Sequence, residues 1–460
     1  MIDQALKKLS QKYKEYFQKH EKEILENFFT FLKFKTISAD PSSEEEIQKC
    51  SNWICDFLLK SGFEVQKWRT SVNPVIFASH QAASNHRPTI LFYHHYDVQP
   101  VDPLDHWKTD PFSPTIHQKQ IYARGASDNK GQCYYTLCAL KAFLEYGKKE
   151  DINIKVLIDG EEEIGSHGLF EILKEKEDEL KSDYTLIVDL SIPSLEKPAV
   201  TIGFRGIVTF DITCTGSNID LHSGQFGGIA YNPLRALSAV LSKIWDEHGK
   251  VCIDGFYDDV INSGIKHLVD TDLNAIIDTF AIKPLHHEKG YSQLESNWTR
   301  PTCEINGLSG GYSGPGFKTV IPATAICKLS CRLVANQKPE HIEKIVAQFF
   351  NKHIPKGFDL KINVGHGASA FMASADTPFI LKLQKAYLAS LGKEAGLSMS
   401  GGSLPIASSL EKVSGGETLG VGFALDDDQI HAPNEHFGLD RLEYGMITIA
   451  TLLELLAEEV

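Results

Sequence analysis

The sequence predicts an α/β protein in which a mostly parallel-sheet domain is interrupted by a smaller α+β domain. Three observations carry this expectation. First, the apolar runs "PTILFYHH" (88–95), "INIKVLI" (152–158) and "YTLIV" (184–188) alternate with helical patterns, notably 132–147. Strands that are apolar on both faces and alternate with helices belong to sheets covered on both sides, which are largely parallel. Second, the texture changes after "GFRG" (203–206). In "IVTFDITCTG", Val208, Phe210, Ile212 and Cys214 would face inward while Thr209, Asp211 and Thr213 face outward. Such alternation marks a sheet with one wet face. Third, the chain returns through "GGSLP" to a closing apolar helix, "RLEYGMITIATLLELLAEE". The expected organisation is 1–205 and 381–460 as one domain, with 206–380 inserted.

Taken in order, "MIDQALKKLSQKYKEYFQKH" reads as a charged helix without the apolar core of a signal sequence. "PSSEEEIQKCSNWICDFLLKSGF" reads as a helix with Ser43 and Glu46 as a capping box. Ile47, Ile54 and Leu58 give it an apolar face, and Gly62 stops it. Inside the insertion, "ICKLSCRLV" (326–334) alternates as 207–216 does. A helix after Pro233 carries Leu234, Leu237, Leu241 and Ile244 on one stripe.

The 460 residues suffice for two or three domains with their own cores. Sixty acidic against 46 basic residues give a net charge of −14, which argues against nucleic acid or an anionic membrane as partner. No apolar run approaches the ~18–20 residues of a membrane span. The nine cysteines are dispersed, without a CxxC pair, and read as reduced thiols. A cytoplasmic enzyme is expected.

Polar clusters follow the apolar runs. "YHHYDVQP" supplies His95 and Asp97, "YARGASDNKG" Asp128, "LIVDLS" Asp189 and "DDDQIHAPNEHF" His431. "IDGEEEIGS" puts Glu161, Glu162 and Glu163 directly after a buried strand, where they repel one another unless a cation lies nearby. Singly, Asp128 could cap a helix, Asp189 could serve a turn, and His95 could be a core histidine. The run 426–428 reads as a solvated loop. Together, these residues would converge outside the carboxyl ends of the strands. Mixed imidazole and carboxylate ligands suit zinc, or manganese and similar ions. Asp128, Glu163, Asp189 and a shared hydroxide would balance two divalent cations, with His95 and His431 neutral. Asp97 could fix the tautomer of His95.

The set "HYDVQP", "RGASDNKG", "GEEEIGS", "DLHSGQFGG", "KTVIPA", "RLVANQ", "GGSLP" and "IHAPNE" resembles the co-catalytic metallopeptidases. That family includes carnosinase, cytosolic nonspecific dipeptidases, acetylornithine deacetylase and succinyl-diaminopimelate desuccinylase. The motifs run in the family's order from about residue 30 to the C-terminus. The resemblance implies that Asp128 bridges two metal ions, with His95 and Asp189 completing one site and Glu163 and His431 the other. The ions would be Zn2+, with Mn2+ or Co2+ as alternatives. It implies Glu162 as the general base acting on a water shared by the metals, and Asp97 as the partner of His95. Glu161 is left as a solvated turn residue. The insertion would be a lid and dimerisation domain whose His222 reaches the neighbouring subunit's site in a homodimer. Arg332 would bind the substrate's free carboxylate, with His366 and Ser403 at substrate-contact positions. The activity implied is a dipeptidase acting on small peptides. The alternatives are an N-acyl amino acid amidohydrolase or desuccinylase, and a non-catalytic ligand-binding protein on the same scaffold. Two departures bear on specificity: Asn129 stands where many relatives have aspartate, and Met399-Ser400 where Arg-Glu is common.

Overall fold

This structure, a computed structural model, describes residues 4–84, 86–261, 268–269 and 273–458. Its large sheet runs in the order Glu64–Trp68, Val75–His80, Asn153–Asp159, Thr89–His95, Tyr184–Val188, Glu417–Val421, Ala199–Phe204 and Phe371–Met372. Gly396–Ser400 also pairs with Ala199–Phe204. The centre is parallel, as expected from its apolar strands, and antiparallel pairs flank it.

Successive side chains of these strands point to opposite faces, and each face has its own core. Ile90, Phe92, Ile154 and Val156 pack under the helices Lys130–Tyr146, Leu439–Ala457, Gln4–Lys33 and Pro378–Leu391. Leu91, Tyr93 and Leu157 pack under His167–Ile172 and Pro405–Ser414. Lys130–Tyr146 is buried on nearly every side, so its sequence lacks a polar stripe. Gly131 is required near its start, because a Cβ there would lie 2.1 Å from the Ala126 carbonyl oxygen. The capping box expected at Ser43 is absent. The helix Glu44–Lys60 follows a short 3-10 turn, and Asp40 caps that turn by accepting the Ser42 N–H. Gly62 does end the segment, at a φ of 97°.

The second sheet is antiparallel, in the order Thr302–Gly310, Thr324–Leu333, Gly206–Thr215 and Asp359–Ala368. Val208, Phe210 and Ile212 are buried against the helices Pro233–Leu241 and Pro339–His353, and Cys214 is buried too, while Asp211 is exposed. One residue, Arg205, separates the large-sheet strand Ala199–Phe204 from Gly206–Thr215. The chain is back in the large sheet at Phe371–Met372, ahead of the return expected at 381. Among the described residues no helix is long and apolar enough to cross a membrane.

Candidate active site

The parallel strands deliver their carboxyl ends to one edge of the large sheet. Thr89–His95 ends in His95, Asn153–Asp159 runs into the glutamates, and Tyr184–Val188 leads to Asp189. Asp128 comes from the loop before Lys130–Tyr146. His431 comes from the loop beyond Glu417–Val421, with a left-handed φ of 61°. A non-glycine residue there is a strain that persists only where surroundings enforce it.

These five side chains form two triads sharing Asp128, namely His95, Asp128 and Asp189, and Asp128, Glu163 and His431. Within each triad the potential ligand atoms lie within 4.8 Å of one another. His95 Nε2 is 3.0 Å from Asp128 Oδ1 and 3.5 Å from Asp189 Oδ2. His431 Nε2 is 2.9 Å from Asp128 Oδ2 and 3.1 Å from Glu163 Oε2. Glu162 belongs to neither triad; its Oε2 stands 4.0 Å from His95 Nε2. Asp97 does more than face His95, whose Nδ1 is 3.3 Å from Asp97 Oδ1. Its two oxygens also accept the backbone N–H groups of Glu162 and Glu163, both at 3.1 Å.

Several neighbours that set this geometry escape a reading of the sequence. Glu435 is fully buried, pairs with Arg124, and accepts the N–H groups of Gly125, Ser127 and Asp128, so it fixes the loop that presents Asp128. Asn129 donates from Nδ2 to Asp189 Oδ1 at 2.5 Å, a bond that an ionised aspartate would be unable to make. Gln99 donates to Glu163 Oε2. Two expectations are overturned here. Glu161 is no solvated turn residue: it is buried and accepts the Gly168 N–H at 2.9 Å. Burial and then Asp159 push its carboxyl up to about 7. Asp428 is likewise buried, bonded to Ser127 and to both ends of the Arg441 fork, so 426–428 is not simply a solvated loop.

Asp128, Glu162, Asp189 and His431 line a cavity of about 630 Å3, walled also by Trp298 and Met399. Leu273, Gln293 and Asn297 line it too, and they line a second cavity of about 480 Å3 that contains Arg332. Arg332 Nη1 donates to Ser403 Oγ at 2.7 Å. His222 lines neither cavity; it is exposed, and its Nδ1 accepts the Gly224 N–H. His366 stands on Asp359–Ala368, with its side chain outside the described residues.

The charges fit a cation. Burial raises Glu162, Glu163 and Asp189, and the neighbouring carboxylates add to the rise. Hydrogen bonds to Asp128 and Glu163 lift His431 to about 10. Burial pulls His95 down, but the surrounding carboxylates outweigh it and leave the imidazole well above its usual range. Without a metal, this cluster therefore holds protons to limit its own repulsion. Divalent ions would displace those protons, because carboxylate and imidazole ligands bind metal deprotonated. Metal affinity should accordingly rise with pH from 5.5 to 8, by about tenfold per pH unit for each proton displaced per ion. Titration calorimetry in buffers of different ionisation enthalpy checks this, and pH-independent binding without proton release would contradict it.

The sequence pattern of Peptidase family M20/M25/M40 matches residues 91–455. The chain belongs to that family. This M20-family chain is 29% identical to the Cys-Gly metallodipeptidase dug1 of Schizosaccharomyces pombe, over 96% of its own length and 97% of the relative's. It superposes on human carnosine dipeptidase 1 with a TM-score of 0.83 at 27% identity, covering 98% of this chain and 99% of that one. It also superposes on the M20 family metallo-carboxypeptidase Sso-CP2 from Sulfolobus solfataricus, with a TM-score of 0.83 at 30% identity, covering 95% and 99%. The M20 assignment makes the chain a metallopeptidase, a hydrolase of peptide bonds.

Proposed function

We propose that this chain is a metal-dependent dipeptidase that cleaves small peptides carrying a free C-terminal carboxylate. The observation that carries this reading is a pair of metal-ligand triads sharing one carboxylate, with an uncommitted glutamate beside them. The names of the dipeptidase relatives support it. His95, Asp128 and Asp189 would hold one divalent ion, and Asp128, Glu163 and His431 a second; zinc suits this donor set, with Mn2+ or Co2+ as alternatives. When bound, the ions supply Lewis acidity to the water nucleophile and the scissile carbonyl.

The chain's own groups do the rest. Glu162 takes the proton of the attacking water at its carboxylate and passes it to the leaving amine. Asp97 holds the His95 imidazole and clamps the backbone of Glu162 and Glu163. Arg332, steadied by Ser403, grips the substrate carboxylate, with His366 as a further contact. The two cavities share Gln293 and Asn297 in their walls, which suits a peptide held at Arg332 and extended toward the ligand triads. Residues 1–205, Phe371–Met372 and 381–460 form the catalytic domain, and the rest of 206–380 the lid through which two copies pair. Ile219, Phe226, Ile229 and Tyr231, all exposed beside His222, supply apolar surface for that pairing. The nine cysteines, all unpaired, suit the cytoplasm.

Arg332→Ala should raise KM by roughly 100-fold for dipeptides with a free carboxylate, as expected for loss of a charge-assisted fork. C-terminally amidated analogues should change little. A panel of dipeptides, tripeptides and N-acyl amino acids tests the whole reading. Turnover confined to N-acyl substrates would replace it with the amidohydrolase alternative, and no turnover by the metal-loaded protein would favour a binding protein.

A further inference from the structure

We propose that Arg205 is a positioning residue of the carboxylate subsite and supplies it with a second positive charge beside Arg332. The inference rests on the reading of Arg332 given above. Arg205 is the single residue between the two sheets, and it is buried. Its Nε donates to the Gly401 carbonyl at 2.7 Å, its backbone N–H to the Gly402 carbonyl at 3.1 Å, and its Nη1 to Thr302 Oγ1 at 3.2 Å. Thr302 is the cross-strand partner of Arg332 in the smaller sheet. Arg332 in turn donates to Ser403 Oγ, whose hydroxyl bonds the Gly206 carbonyl at 2.9 Å. The two guanidinium groups thus hold the loop 401–403 from its two ends, and both line the 480 Å3 cavity.

A purely structural strut between two sheets would need only hydrogen-bond donors. A buried charge needs compensation, and among the described residues neither arginine pairs with a carboxylate. Glu304, exposed on the same cavity wall, makes no ion pair with either of them, and its charge offsets that of Arg205 only in part. Burial first, and then the charge of Arg332, lower the Arg205 guanidinium to about 10. The ligand that relieves both is an anion, and a peptide carboxylate is the one the proposed reaction brings. Asn297 packs against the same loop: a Cβ on Gly401 would lie 1.9 Å from its Oδ1, so only glycine fits there.

The test compares Arg205→Gln, Arg205→Lys and Arg332→Ala on one dipeptide with a free carboxylate and on its C-terminal amide, with metal content measured alongside. Arg205→Gln should raise KM for the free acid by about tenfold or more, with kcat and metal content near wild type and little change on the amide. Arg205→Lys keeps the charge without the fork and should fall between wild type and Arg205→Gln; if the glutamine variant fails to fold, the lysine variant decides by the same acid-to-amide ratio. Equal losses on acid and amide, or none on either, would overturn the inference. If Arg332→Ala discriminates acid from amide and the Arg205 variants do not, only Arg205 is misassigned. If Arg332→Ala does not discriminate either, the reading of the subsite itself fails.

Discussion

Glu162→Gln is expected to reduce kcat by roughly 10³-fold while leaving two metal ions bound, within the usual range for loss of general acid–base catalysis. Glu162 and Glu163 are adjacent and both largely buried, yet only Glu163 is within reach of His431 and Asp128 as part of a triad. Glu162 points its Oε2 toward His95 at a distance of 4.0 Å and lines the cavity where substrate would lie. Glutamine keeps the shape and the backbone bond to Asp97, and it removes the proton-accepting oxygen. Metal analysis beside steady-state kinetics separates the roles. If Glu162→Gln loses one ion together with activity, the two glutamates are assigned in reverse, and Glu163→Gln should then retain both ions.

What could be read in the sequence, and what could not, divides by distance along the chain. His95 and Asp189 announce themselves because each ends or follows an apolar strand, and parallel strands of one sheet bring such ends together. Strand Tyr184–Val188 coincides with its apolar run for the same reason. Glu161 reads as a turn acid because the Gly168 N–H that it accepts lies in the next helix, beyond anything its own turn reveals. Asp428 and Glu435 satisfy donors near Asp128, some 300 positions earlier, and read in isolation they are loop acids. The short strands Glu64–Trp68 and Val75–His80 offer too few residues for a period to emerge. Arg205 was visible in "GFRG" only as a change of texture, since its meaning depends on a loop almost 200 residues away.

His222→Ala is expected to abolish most turnover with both metals retained, although His222 lies outside both cavities of its own chain. Its Nδ1 accepts the Gly224 N–H at 3.0 Å, so the neutral imidazole carries its proton on Nε2. That exposed N–H is a donor suited to a developing oxyanion, and in the proposed dimer a second copy would bring a scissile carbonyl to it. Coexpressing Glu162→Gln with His222→Ala makes the sharper experiment. In a two-fold dimer each lid serves its neighbour, so a mixed dimer assembles one site from an intact Glu162 and an intact partner His222. Random pairing makes half the dimers mixed, each with one whole site, and roughly a quarter of wild-type activity should return. If His222 serves its own chain, every site lacks one residue and nothing returns. A monomer with full activity would also end the reading, because the exposed Ile219, Phe226, Ile229 and Tyr231 would then have no second copy to cover them.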